Sequence, residues 1–177
     1  MKGGDSNELL VLFLEDHCGV IITMALVEHQ YIEFVNVLSY RTRVDIKRLE
    51  KLISYVERNT DALGLKITGN LVFTVTEVFE LSDRLILGIE LLVPVNKAFE
   101  SCEQYVYKPR FRLVNAVSVR FGNLRDFFEA SDELMRYLKQ NHLNAASEIY
   151  YIIDCDCEHN ELPMIYDALV SVNDNMV

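Results

Sequence analysis

The stretch "FVNVLSYR" at positions 34–41 returns as "LVNAVSVR" at positions 113–120. Self-similarity of this kind decides how the rest of a chain is read, because two copies of one small unit build a shared core. Around the first occurrence, Ile32, Phe34, Val35, Val37, Leu38 and Tyr40 give 32–40 the β-branched and aromatic character of a strand. The following "DIKRLEKLISYVERNTDALGLK" sets Ile46, Leu49, Leu52, Ile53 and Val56 at helical spacing, with Asp45 as N-cap and Gly64 as the stop. "ITGNLVFTVTEVFE" and "DRLILGIELLVPV" then read as two strands joined by a turn at Leu81–Asp83. The order is β-α-β-β.

The second half repeats it. "FRLVNAVSVRF" is a strand, "DFFEASDELMRYLKQN" a helix with Phe127, Leu134 and Leu138 on one face, and "SEIYYIIDC" and "MIYDALVSV" two further strands. "ISYVERN" (53–59) faces "MRYLKQN" (135–141), aligning Tyr55 with Tyr137; "ELLVPVN" (90–96) faces "DALVSVN" (167–173), aligning Glu90 with Asp167. One helix cannot bury the sheet of its own unit, so the expected fold is α+β. Tandem duplicated β-α-β-β units, related by a pseudo-twofold, would form one largely antiparallel sheet with two long helices on one face. Residues 1–27 are an N-terminal extension, either an extra strand or a start-site artefact. Residues 28–177 form one domain of module 28–96, joint 97–109 and module 110–177. The joint lacks Gly, has a single Ser, carries three aromatics and closes on Pro109, so it reads as packed rather than flexible.

Composition bounds the function. The 177 residues are half apolar and a quarter charged, an ordinary globular mixture. The net charge of −10 repels phosphate backbones, and the densest basic cluster in the sequence is Lys108, Arg110 and Arg112, so nucleic acid is not an expected partner. Four cysteines (18, 102, 155 and 157) lack the density of a disulfide framework and suit a cytoplasmic setting. The apolar run from Leu9 to Leu14 is too short for a secretory signal, and no run approaches a membrane span.

The tandem β-α-β-β order resembles the GyrI-like effector-binding domain, which also forms the ligand-sensing half of some bacterial multidrug-responsive transcription activators. "VNAVSVRFGNLRDFFEASDELMRYLKQNHL" followed by "SEIYYIID" is similar to that family's strand, helix with a central aromatic, and "IYY" strand; "GIELLVPV" is similar to its "vEvgvPv" strand. The resemblance covers roughly 28–173. It implies two pseudo-twofold-related modules enclosing a pocket for small, often cationic and aromatic molecules. A pocket glutamate meets the ligand's charge, and Glu90 is the matching position. Two departures stand out. "RFGNL" supplies Gly122 without the Pro that often accompanies it, and no helix-turn-helix is seen, so a DNA-binding regulator is not expected.

Glu90 also draws attention without the family. It interrupts "LILGIELLVPV", a run apolar on both faces, so its carboxylate needs a partner or must stay neutral. The functional reading is a counter-charge for a cation or a general acid/base; the competing one is an internal ion pair with Arg41 or Arg120. Tyr40, Phe73, Tyr137 and Tyr150 are the candidate aromatic walls, each with core filling as the alternative. Tyr150 and Tyr151 adjoin on a strand and point to opposite faces, so only one can line a given pocket. "CDCEH" at 155–159 offers Cys155, Cys157 and His159, which His17 and Cys18 could join, but the spacing is not that of a zinc site. No metal or other cofactor is expected.

The leading expectation is therefore non-catalytic binding of small amphipathic cations between the modules, with Glu90, Tyr40, Phe73, Tyr137 and Tyr150 as ligand-binding residues. The alternatives are a small-molecule hydrolase using Glu90 and Tyr150, or an adaptor module that meets a protein partner through its acidic surface or segment 9–14. The expected state is a monomer or weak homodimer.

Overall fold

The computed structural model describes residues 10–15, 21–81, 84–122, 126–154 and 165–173. The strands are β1 Leu10–Glu15, β2 Ile21–Asp45, β3 Leu71–Leu81, β4 Arg84–Pro94, β5 Val106–Phe121, β6 Asn144–Ala145, β7 Tyr150–Asp154 and β8 Ile165–Asn173. The helices are α1 Leu49–Ala62 and α2 Phe127–Gln140. The chain divides into two compact units: Glu33–Arg112, called the first unit below, and Met1–Ile32 with Leu113–Val177, the second. The α+β class expected from the sequence holds, and the strand pairs within each unit are antiparallel.

In the first unit β4 is central. It pairs with β2 from Val37↔Pro94 to Asp45↔Ile86, and with β3 from Val72↔Leu92 to Leu81↔Arg84. Every residue from Leu87 to Pro94 is buried, which requires cover on both faces of the strand. Directly opposed residues share a face, so Tyr40, Leu91 and Phe73 form one row across the three strands, and Arg41, Glu90 and Thr74 the next row on the other face. A β-bulge between Val75 and Glu77 lies opposite Gly88. A Cβ at Gly88 would meet the Glu77 Cβ at 3.0 Å, so glycine is what lets Arg43 and Glu77, from the flanking strands, bond across β4 at 2.9 Å.

Asp45 caps as expected, its Oδ1 accepting the Lys47 N–H at 3.0 Å, but it opens a single 3-10 turn, Ile46–Arg48, ahead of α1. Leu49, Ile53 and Val56 are buried along one stripe of α1. Gly64, at φ +69°, ends the helix where a side chain would be strained.

In the second unit β8 takes the central place, paired with β5 from Ala116↔Ser171 to Phe121↔Tyr166 and with β7 from Tyr150↔Leu169 to Asp154↔Ile165. β1 pairs with the start of β2, from Leu10↔Leu26 to Glu15↔Ile21. The stripe of α2 buries Phe127, Ala130, Leu134 and Leu138, the apolar face read from the sequence. Phe121 stacks on Tyr166 at 5.3 Å, and Phe127 meets Tyr151 at 4.4 Å. The Tyr151 hydroxyl bonds Ser131 Oγ at 2.7 Å, and burial pushes its phenol up to about 12.

Element lengths depart from expectation. β2 is a 25-residue strand rather than the nine read at 32–40, and it passes through left-handed residues at His29 (φ 55°) and Asn36 (φ 54°). Asn tolerates that conformation better than most residues, and a single such residue bends a strand without ending it. β5 begins at Val106, so 106–109 is strand rather than joint, and Pro109 lies inside it. The short β6 carries no apolar alternation by which a sequence would reveal it. No helix among the described residues is long and apolar enough to cross a membrane. Cys18, Cys155, Cys157, His17 and His159 lie outside the described residues; Cys102 is an exposed free thiol.

Candidate functional site

The Arg41–Glu90–Thr74 row places a carboxylate at the centre of the first unit's sheet. Glu90 is 7% exposed. Two positions before Arg41, and therefore on the same face, Ser39 is also buried and donates its hydroxyl to Glu90 Oε1 at 2.5 Å. Lys108 Nζ, from β5, donates to the same oxygen at 2.6 Å, and Arg41 Nη2 reaches Oε2 at 3.3 Å. Burial alone would push the Glu90 carboxyl up. Donors from Lys108, Ser39 and Arg41 outweigh it and hold the group below the usual carboxylate range.

Ser39, Tyr40, Arg41, Glu90 and Lys108 line a cleft of about 340 Å³, closed by Glu103, Gln104 and Val106. Two cations, Arg41 and Lys108, face two carboxylates, Glu90 and Glu103, so the formal charge of the lining is balanced. The partners differ in how firmly they are fixed. The side chain of Glu90 is 9% exposed, that of Lys108 35% and that of Arg41 75%. The carboxylate is built into the sheet, whereas both cations reach it on long stems from the solvent side. The Tyr40 ring packs at 5.5 Å against the buried Tyr105.

The second unit repeats the arrangement in part. Ser118 is buried as Ser39 is, and Arg120 stands opposite Asp167 as Arg41 stands opposite Glu90. Asp, shorter by one methylene, is held by Arg120 through both carboxylate oxygens, at 2.8 and 2.9 Å. Arg120 is therefore the partner of Asp167, and the internal pair expected for Glu90 is made with Arg41 and with Lys108. Lys108 was legible only as part of a basic cluster; nothing in the sequence tied it to a residue eighteen positions earlier.

Of the aromatic candidates, Tyr40 borders the cleft, but its side chain lies in the Leu91 row, on the face opposite to Glu90, with its ring against Tyr105. Phe73 is fully buried in the row of Leu91, on the face opposite to Glu90. Tyr137 and Tyr150 are half-buried residues of the second unit, on α2 and β7. The cleft lining is drawn wholly from the first unit. Ser39, Glu103, Gln104 and Val106 join it without having been singled out, although the Ser39/Ser118 match was present in the repeated phrase.

No protein-family model and no curated protein sequence matches the chain. Solved structures do. The fold is similar to EcmrR in a cryo-EM structure of its DNA complex in EcmrR-RPo, with TM-score 0.67 and 18% identity over 86% of this chain and 58% of that one. It is also similar to the crystal structure of the EcmrR C-terminal domain, with TM-score 0.63 and 18% identity over 86% of this chain and 98% of that one. The chain thus spans 58% of the length of EcmrR and nearly all of its C-terminal domain. An uncharacterized conserved protein from Listeria innocua gives TM-score 0.47 and 12% identity, over 81% of this chain and 91% of that one. The resemblance to the GyrI-like effector-binding domain, read from the sequence, holds at the level of fold.

Proposed function

We propose that the chain is a non-catalytic binding domain for small amphipathic cations, which it holds in the Glu90 cleft. The observation that carries this reading is a buried carboxylate, kept ionised, whose present counter-ion is a tethered and partly exposed ammonium. An incoming cation takes the place of Lys108, whose flexible stem returns to water at little cost. The exposed Val106 at the edge of the cleft and the aliphatic stem of Arg41 offer apolar surface to the ligand body. An ionised Glu90 suits a counter-charge better than a proton donor, so binding rather than hydrolysis is favoured. The likeness in fold to the EcmrR C-terminal domain supports small-molecule binding in general.

The same reading takes the two units as copies of one β-α-β-β module. Three parallels support it. Each unit sets its last strand at the centre, between the other two. Each has Asn at φ near +50° in the repeated phrase, Asn36 and Asn115. In each, an Arg opposes an acid across the first and last strands.

Calorimetric titration with benzyltrimethylammonium and with its neutral carbon isostere tests the function. The cation should bind and the isostere should not, and Glu90→Gln should remove the difference. Equal binding by wild type and Glu90→Gln, or no binding by either, would overturn the proposal.

A further inference from the structure

The first unit has a second concavity, of about 590 Å³, whose lining includes four cationic residues: Arg43 from β2, Arg48 from the turn after it, Lys51 from α1 and Arg84 from β4. In a chain of net charge −10 such a grouping runs against the global field; Arg43, Arg48 and Lys51 are near one another in the sequence, and the fold adds Arg84 to them. The nearby carboxylates cancel it only in part, leaving Arg48 and Lys51 as its surplus charge. Asp45 lies on the rim with its Oδ1 bonded to the Lys47 N–H, Glu77 is engaged by Arg43 at 2.9 Å, and Glu50 sits in the first turn of α1. Arg48 and Lys51 make no ion pair among the described residues. Both stand at the N-terminal end of α1, where the helix dipole disfavours positive charge, so their placement costs the fold stability. The floor is apolar, with Leu52 and Ile86 half-buried, while Arg43 lies 4.6 Å over the Phe79 ring and is paired with Glu77.

We infer that this concavity is an anion site for a small phosphate ester carrying an apolar or aromatic group. Guanidinium forks match phosphate oxygens in pairs, the lysine adds a point charge, and the apolar floor takes the organic part. Nucleic acid offers the same phosphate chemistry, but a long polyanion must approach a strongly acidic surface, whereas a small ester meets only the local field.

The test titrates the full chain with phenyl phosphate, inorganic phosphate and a short single-stranded oligonucleotide, at low and at high salt. Phenyl phosphate should saturate, bind more tightly than inorganic phosphate, and weaken as salt rises. Arg48→Gln with Lys51→Gln should lower its affinity about tenfold, and Arg84→Gln should act in the same direction. All three side chains are exposed, and circular dichroism should show unchanged folding. Benzyltrimethylammonium binding at Glu90 should be unaffected, so this site can fail while that one stands. Phenyl phosphate that fails to saturate, or equal affinity in the variants, would overturn the inference. Oligonucleotide binding that the same substitutions abolish would also overturn it, by giving the patch to nucleic acid.

Discussion

Removing Lys108 should weaken the fold and strengthen ligand binding, two effects of opposite sign from one substitution. In Lys108→Ala the Glu90 carboxylate keeps Ser39 at 2.5 Å and Arg41 at 3.3 Å but loses the ammonium at 2.6 Å. A hydrogen bond to a charged group contributes about 1.5–3 kcal/mol. Lys108 is 35% exposed and screened by solvent, and two donors remain, so a loss of about 1–2 kcal/mol follows. For a chain of this size that lowers Tm by about 3–6 °C. The acid limb should move as well. Because the folded Glu90 carboxyl lies below its unfolded value, the stability it confers is fully present above the unfolded value and is lost as pH falls through the folded one. Without Lys108 the folded value rises, so the loss begins at higher pH. Meanwhile the internal competitor is gone, and affinity for benzyltrimethylammonium should rise by about tenfold. Differential scanning calorimetry and isothermal titration read the two effects on one preparation. If Lys108→Ala loses cation affinity as Glu90→Gln should, Lys108 is part of the binding surface and the displacement reasoning is refuted.

Asn36→Ala and Asn115→Ala should each cost about 1–3 kcal/mol in urea unfolding, because both force Ala into the left-handed region. The corresponding Gly variants should cost less; equal costs for Ala and Gly would show that the side-chain bonds, not φ, decide. Tyr151→Phe should cost about 1 kcal/mol through the lost Ser131 bond. In wild type the raised Tyr151 phenol gives stability that is full below about pH 10 and lost as pH rises toward about 12, and Tyr151→Phe should lack that loss in alkaline unfolding curves.

Much of the architecture was legible because its signals are local. Helix spacing, the Asp45 cap, the Gly64 stop and the alternating strands are each written within a few residues. The repeated phrase carried more than strand propensity, since its Asn, Ser and Arg recur at matching places in both units. Strand extent was less legible. The 25 residues of β2 hold together through partners distant in sequence, and left-handed turns at His29 and Asn36 read locally as breaks. Glu90 could be picked out because a carboxylate in an apolar run must be answered by something. Of what answers it, Arg41 and Ser39 share its face through strand spacing, but Lys108 depends on where β5 runs, and no spacing rule encodes that. Phe73 shows the converse. It is an aromatic in a good strand, but its parity puts it, with Tyr40, in the Leu91 row rather than the Glu90 row, and only the register reveals which.

The most direct test of the central claim is a crystal structure of the chain with benzyltrimethylammonium bound. The ammonium should lie within about 4–6 Å of the Glu90 carboxylate, with Lys108 Nζ moved away from Oε1 and the benzyl group toward Val106 at the edge of the cleft. A complex in which the Lys108–Glu90 bond persists and the cation sits elsewhere would contradict it.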